Sequence, residues 1–389
     1  MSFKKKISVA VLGSTGSIGK TSLKILSKYK GKFNVELLAC NSNKKVIINQ
    51  IKKFKPKYVI ISDLKVFNKI KKIKFKSKIY FFNCLDKFVK KNKIKYDKTI
   101  LGISSIGGLK FAFAFVGLSK QILVANKETI VCGGKFFLKL AKKKNCDIVS
   151  IDSEHYCLNS ILKKNNIDNV SKVYITASGG PFLNKKKSQI KKIDYKHALK
   201  HPKWKMGKKI SIDSATFANK GLEIIEASYL FNLHPKNIKV KIHKEAKIHC
   251  AILLKNGLVY LVAHNTSMEI PIKNSLFDNL FFENKQSFYN NKKNFIFSFD
   301  ELNLNKFKML FLAYKALSLG ERACIFYNVI NDYLVELYLN RKIFFYEIEH
   351  KLNKILNNKK LRNFFRKKIN NINDINETIA HAKFHIIKN

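Results

Sequence analysis

Two short stretches of this chain carry carboxylates at spacings that suit a metal ion. In "SIDSEH", Asp152 and Glu154 stand two apart after an apolar run read as a strand. A strand would point both carboxylates to one side. Paired carboxylates repel unless a cation sits between them, and hard oxygen ligands favour Mg²⁺ or Mn²⁺. The same pair also suits an exposed polar loop, and His155 beside it is either a further ligand or a structural imidazole. In "DSATFANKGLE", Asn219 and Glu223 are four apart, hence on one helical face, with Lys220 next to them. Such a face binds a phosphate or polyol together with a metal, or is simply solvated.

A third stretch, "GSTGSIG", follows the apolar run "ISVAVL" and opens a helical pattern. Strand, glycine turn and helix together form the dinucleotide-phosphate arrangement: backbone amides and the positive helix end hold a pyrophosphate, and glycines let the backbone come close. Gly13, Gly16 and Gly19 are the glycines, with Ser14, Thr15 and Ser17 as extra donors. An NAD site wants an acid at the end of the second strand, on the ribose 2′-hydroxyl. Here "VELLAC" runs into Asn41-Ser42-Asn43-Lys44-Lys45, which has no acid and two lysines. That favours NADPH.

Further stretches fit around these. "ITASGGPF" resembles a turn presenting Ser178 and free amides to an anion. "HPKWKMGKK" carries His201, Trp204, Met206 and Gly207 on a polar loop; it reads as a lid that excludes water, or its tryptophan is a buried anchor. "VANKETIVCGG" puts Asn126, Lys127 and Glu128 at a strand end, where α/β sheets bind ligands.

The elements that must position these residues alternate strand and helix over residues 1–150, which predicts a parallel sheet with helices on both faces. Residues 151–275 hold more strands ("KVYITAS", "KVKIH", "HCAILL") and one long helix after "DSATFANKG". Residues 276–305 read as a polar linker, and 306–389 as a helical domain with a stop at Gly320. The expected class is α/β: a Rossmann-like dinucleotide-binding domain, a central α+β catalytic domain with its lid loop near 201–209, and a C-terminal α-helical domain.

The chain has 389 residues, 46% of them hydrophobic, which indicates a globular protein. No run approaches the ~18 apolar residues of a membrane span. The start "MSFKKKISVAV" enters the first strand without an h-region, which predicts no signal peptide. Seven scattered cysteines, with no CxxC pair, read as reduced cytoplasmic thiols. The net charge is +50, from 76 Lys and Arg against 26 Asp and Glu. Lysines spread along the whole chain, beside heavy Asn, Ile and Phe usage, read as compositional drift rather than a nucleic-acid footprint.

In this order and spacing, "GSTGSIG", "ANKE", "DSEH", "SGGPF", "HPxWxMG" and "DSATxxNKGLE" resemble the 1-deoxy-D-xylulose 5-phosphate reductoisomerase family. The resemblance spans nearly the whole chain, and "YNVIND" is similar to the family's Asn-Ala-Ala-Asn-Glu segment. It implies isomerisation of 1-deoxy-D-xylulose 5-phosphate and reduction with NADPH to 2-C-methyl-D-erythritol 4-phosphate, in non-mevalonate isoprenoid synthesis. It implies Asp152, Glu154 and Glu223 as ligands of Mg²⁺ or Mn²⁺, with Co²⁺ a further option. Ser178, Ser214, Asn219 and Lys220 would hold the phosphate. Lys127, Ser153 and His201 would line the substrate, with Trp204 and Met206 in the lid. Gly13, Thr15, Gly16, Ser17, Ile18, Asn126, Glu128 and Gly207 would contact NADPH, with Asn41 and Asn43 on its adenosine side.

The implied assembly is a homodimer, cytoplasmic, with no specific nucleic acid and no membrane. Departures from the family are Cys40 in place of a glycine, "HKEA" at His243–Ala246 and "SME" at Ser267–Glu269. The sulfur of Cys40 is expected to crowd the cofactor. Two other classes remain: a plain sugar-phosphate dehydrogenase, and a basic nucleic-acid-binding protein derived from an enzyme.

Overall fold

A computed structural model describes residues 5–163, 166–204, 206–278 and 296–387. They divide into two compact units: one of 5–129, Phe137–Asp152 and 268–278, the other of Ile130–Phe136, Ser153–Ser267 and 296–387, masked positions aside.

The first unit is built on a parallel sheet of β1 (Ile7–Leu12), β2 (Phe33–Cys40), β3 (Tyr58–Ile61), β4 (Tyr80–Phe82), β5 (Tyr96–Leu101), β6 (Ser119–Val124) and β7 (Asp147–Ser150). Their order is β4-β3-β2-β1-β5-β6-β7. Between them run α1 (Ser17–Lys28), α2 (Lys44–Phe54), α3 (Leu64–Lys71), α4 (Leu85–Lys91), α5 (Leu109–Val116) and α6 (Lys127–Lys143). Strands covered on both faces need continuous apolar runs, and Val9–Leu12 are all 0% exposed. β1 has β2 on one side and β5 on the other, so the strand order reverses there. Ligands of such sheets bind outside the carboxyl ends of the strands at that reversal.

The second unit opens with α7 (Ser153–Leu162) and β8 (Val170–Ala177), then two single turns, α8 (Lys187–Ile190) and α9 (Tyr195–Ala198). α10 (Lys208–Thr216), α11 (Ala218–Leu230), β9 (Ile238–Ile242), β10 (Ile248–Leu254) and β11 (Val259–Ala263) follow. The helix expected after "DSATFANKG" is α11, and a separate helix, α10, precedes it. They break at Phe217, whose left-handed backbone (φ 66) is held by a ring buried 4.2 Å from that of Phe307.

The chain then returns to the first unit as α12 (Glu269–Leu276). Ile272, Leu276 and Phe277 join the apolar cluster that holds Leu26, Val35 and Leu38. The sequence reading had assigned residues up to 275 to the central domain and expected no helix here. Of the 276–305 linker, residues 279–295 lie outside the described residues, and 300–301 pair as β12 (Asp300–Glu301) with β9. α13 (Lys308–Leu319), α14 (Glu321–Leu339), α15 (Phe345–Leu356), α16 (Arg362–Arg366) and α17 (Ile372–Ile387) complete the second unit. Gly320 separates α13 from α14 as expected, with φ 124. These C-terminal helices share a core with the second sheet, ordered β11-β10-β8-β9-β12: Phe307 and Leu310 pack in one cluster with Val173, Ile224 and Ile252.

Candidate active site

In the first unit the glycine turn leaves β1 at the strand-order reversal. Gly13 has φ +80, and a Cβ there would lie 2.7 Å from the carbonyl of Gly102, the residue that follows β5. A Cβ on Gly19 would lie 2.5 Å from Ser14 Cα. The backbone is thus drawn tight by two glycines, as a phosphate cradle requires. The amides of Gly13 and Ser14 both donate to Ala39 O, at 2.9 and 2.8 Å, and that of Gly16 donates to Gly13 O at 3.0 Å. Ser17 and Ile18 then head α1, which has no side-chain cap, so its unpaired amides and positive end face outward. Thr15 is half-buried beside them. This arrangement fits a dinucleotide pyrophosphate.

Asn41 and Asn43 are exposed after β2, and Asn43 Oδ1 caps α2 by accepting from Val46 N at 3.2 Å. Cys40 corrects an expectation. Its side chain turns into the apolar cluster, where burial pushes the thiol up to about 12, so the sulfur does not crowd the cofactor turn. Asn126 caps α6 and donates to Ser105 O at 2.8 Å and to Ile103 O. Its amide thereby ties the loop after β6 to the loop after β5. Glu128 is buried in the first turn of α6. Lys127 Nζ lies 2.7 Å from Asp152 Oδ2, both side chains nearly buried.

Asp152 and Glu154 do not alternate along a strand. β7 ends at Ser150 and α7 begins at Ser153, so a tight strand-to-helix turn, rather than the strand repeat, spaces them. Asp152 ends the Phe137–Asp152 segment of the first unit, and Glu154 stands in the first turn of α7.

In the second unit one ammonium gathers the acids. Lys220 Nζ pairs with Glu223 Oε2 at 2.7 Å and with Glu154 Oε1, across 66 residues of sequence. Ser153 Oγ donates to Glu154 Oε2 at 2.6 Å, and Asn219 Nδ2 to Glu223 Oε1 at 2.5 Å. Two carboxylates with a serine hydroxyl beside them offer hard oxygen donors of the kind Mg²⁺ or Mn²⁺ takes. His155 is spent elsewhere: fully buried, its Nε2 donates to Glu223 O at 2.9 Å and its Nδ1 lies 3.5 Å from Glu226 Oε2. It fastens α7 to α11.

Around this centre, the turn after β8 uses Gly179 (φ +92) and Gly180 (φ +63); a Cβ on Gly180 would lie 3.0 Å from Ser214 O. Ser178 and the end of α10, with Ser214, are thereby brought together. His201 Nδ1 accepts from the amides of Lys203 and Trp204, at 3.2 and 2.8 Å. The proton therefore sits on Nε2, which donates to Ser178 Oγ at 3.2 Å. Burial, with the Lys220 charge second, pushes the imidazole down to about 4, so it is neutral at pH 7.

Trp204 is half-buried, its ring edge-on to His249 at 6.3 Å. His249 in turn stacks on His264 at 3.8 Å, and burial pushes it down to about 4. Sequence reading missed His249, although an imidazole inside the apolar run "HCAILL" was the available signal. Met206 is half-buried and Gly207 is the exposed cap of α10; Lys205 of the proposed lid lies outside the described residues.

Comparison with known proteins bears on both sets of residues. Family models described as 1-deoxy-D-xylulose 5-phosphate reductoisomerase, its C-terminal domain, and the DXP reductoisomerase C-terminal domain match residues 9–134, 148–231 and 264–384. The reductoisomerase of Pelagibacter ubique is 40% identical over 376 residues, covering 94% of this chain and 95% of its own. The chain belongs to the 1-deoxy-D-xylulose 5-phosphate reductoisomerase family. A family member from Clostridium tetani is 35% identical over 87% of this chain and 89% of its own. A crystal structure of DOX-P reductoisomerase in complex with NADPH, fosmidomycin and magnesium superposes with a TM-score of 0.87, at 28% identity over 98% of both chains. The Zymomonas mobilis enzyme in complex with NADPH gives 0.88, at 26% identity over 99% of both. The family's fold, NADPH and Mg²⁺ thus accord with the glycine turn of the first unit and the carboxylates of the second.

Proposed function

We propose that this chain isomerises 1-deoxy-D-xylulose 5-phosphate and reduces the product to 2-C-methyl-D-erythritol 4-phosphate, using NADPH and Mg²⁺ or Mn²⁺. The observation that carries this is the gathering of Glu154 and Glu223 on Lys220, in a chain 40% identical to a reductoisomerase. NADPH supplies the hydride and the metal a Lewis acid for the substrate's oxygens.

The chain's own residues do the rest. Asp152 joins Glu154 and Glu223 as the metal's oxygen ligands, being two residues from Glu154 along the chain. Ser178, Ser214, Asn219 and Lys220 hold the phosphate. The neutral His201, its Nε2–H donated to Ser178, lines the substrate with Lys127 and Ser153 without adding charge. Trp204 and Met206 close over it and exclude water. The amides of Thr15, Ser17 and Ile18 hold the pyrophosphate, in the turn shaped by Gly13 and Gly16; Asn126, Glu128 and Gly207 contact NADPH, with Asn41 and Asn43 on its adenosine side.

Two coarser points accompany this. A homodimer is favoured by β11, an edge strand whose Val259, Tyr260 and Leu261 are all exposed, a surface that a second copy would cover. A reducing, cytoplasmic setting suits seven cysteines that are all free thiols. Among the described residues no helix is long and apolar enough to cross a membrane.

The test is NADPH oxidation with 1-deoxy-D-xylulose 5-phosphate and Mg²⁺, with the product identified. The branched product is expected. A linear, unrearranged product would make the chain a plain sugar-phosphate dehydrogenase, and no turnover would overturn the proposal.

A further inference from the structure

The "YNVIND" stretch of α14 has no part in the chemistry above, yet two of its side chains reach α10. Asn331 Nδ2 donates to Asp213 Oδ1 at 2.7 Å. Asp332 Oδ1 lies 2.7 Å from Lys209 Nζ, which also lies 3.0 Å from Asp213 Oδ2. All three charged side chains are largely out of water: Asp213 is 2% exposed, Asp332 14% and Lys209 20%.

The position of Lys209 makes this arrangement informative. α10 opens with Lys208 and Lys209, has no acid in its first turn and no side-chain cap. A cation at a helix N-terminus meets the positive end of the helix dipole and is unfavourable there. Asp213 offsets it from within the same helix, but that pair cannot fix α10 to anything else. Asp332 supplies the second counter-charge from another helix. α10 is also the element that runs from Gly207, at the end of the "HPKWKMG" loop, to Ser214, beside the Gly179–Gly180 turn.

We propose that Asp332 is a positioning residue: through Lys209 it clamps the first turn of α10, and so sets where the loop before it and Ser214 behind it meet the sugar phosphate. The clamp follows from the ion pair; its effect on substrate rests on the function proposed above.

Amide exchange of the whole chain, followed by mass spectrometry, tests the clamp without needing turnover. Asp332→Asn keeps the shape and removes the charge. Exchange in residues 207–216 is expected to rise about tenfold or more, with α11 and the rest of α14 unchanged, and Asp332→Glu is expected to restore protection. The KM for the sugar phosphate should rise about tenfold, with kcat changed by less than about threefold. Lys209→Gln breaks the same pair from the other side, so the double variant should be no worse than the worse single one. Unchanged exchange in Asp332→Asn, a rise shared equally by all of α14, or additive single effects would each overturn the clamp. If the clamp passes while the wild-type chain turns over no sugar phosphate, the function fails and the clamp stands.

Discussion

On the function proposed above, the two units hold their ligands by different means. In the first, residues 13–18 include no charged side chain; the work falls to backbone amides, the helix end and the glycines that let them approach. In the second, charged side chains do it: Glu154, Lys220 and Glu223 from two helices. A backbone site tolerates changes in side chain but not in backbone conformation. A side-chain site reverses that, because α11 stays a helix whatever its carboxylates become.

The largest effect should come from the charged site. Glu223→Gln keeps the hydrogen bond from Asn219 to the side-chain oxygen but removes the charge. Mn²⁺ affinity should fall by about a hundredfold or more, since even residues that merely orient metal ligands cost 10–100-fold. Turnover at limiting Mn²⁺ should fall with it, while NADPH affinity, set in the first unit, stays within about twofold. Calorimetric titration of Mn²⁺ and of NADPH separates the two. Near-wild-type activity at limiting Mn²⁺ would remove Glu223 from the ligand set.

A smaller effect should separate glycines within the backbone site. Gly13→Ala must hold φ +80 and place a methyl against the Gly102 carbonyl, so it should cost roughly 2–4 kcal/mol of stability. Gly16 has φ −77, and the nearest atom to an added Cβ is Gly13 O at 3.3 Å. Gly16→Ala should therefore cost under about 1 kcal/mol. Urea unfolding measures both. Any loss of NADPH affinity in Gly16→Ala then reports the methyl against the pyrophosphate rather than a damaged fold. Equal destabilisation by the two substitutions would contradict the turn as described.

The same contrast explains what was legible in the sequence. The glycine turn could be read directly, because its requirement is local: strand, positive φ, helix. β2 and α13 were equally plain from apolar pattern alone. β5 was not, because "YDKTIL" carries Lys98 in its middle. That ammonium is buried only because Gln121, Ser275 O and Asp278 reach it from as far as 180 residues away. The Asp152–Glu154 spacing was noticed for the wrong reason, since a turn and not a strand sets it. The meeting of Glu154 with Lys220 was legible only through the family resemblance; no local pattern predicts that α7 and α11 lie side by side. His249 lay hidden in an apolar strand because its partners, Trp204 and His264, come from distant loops.

The smallest effect sharpens the contrast most. Every one of the ten histidines lies in the second unit, and none in the first. His201 and His249 are held down to about 4, chiefly by burial, against an ordinary value of 6.5. As pH falls from 6.5 toward 4, the unfolded chain protonates both while the folded unit does not. The unfolded state binds more protons across that window, so stability is present above 6.5 and is lost as pH falls through it. His264 works the other way: burial pulls it down, but Cys157, Asn265 O and Glu154 outweigh that and raise it. Between pH 7.5 and 5.5 the deeply buried His249 should contribute a loss on the order of 1 kcal/mol; the partly exposed His201 adds a fraction and His264 offsets some. Trp204 is the only tryptophan and stands in the second unit, so its emission follows that unit alone. Its urea midpoint should be lower at pH 5.5 than at 7.5, whereas a probe placed in the first unit should move far less. A Trp204 midpoint that does not shift between these two pH values would show that the imidazoles titrate alike folded and unfolded, and that the second unit's site is not dry.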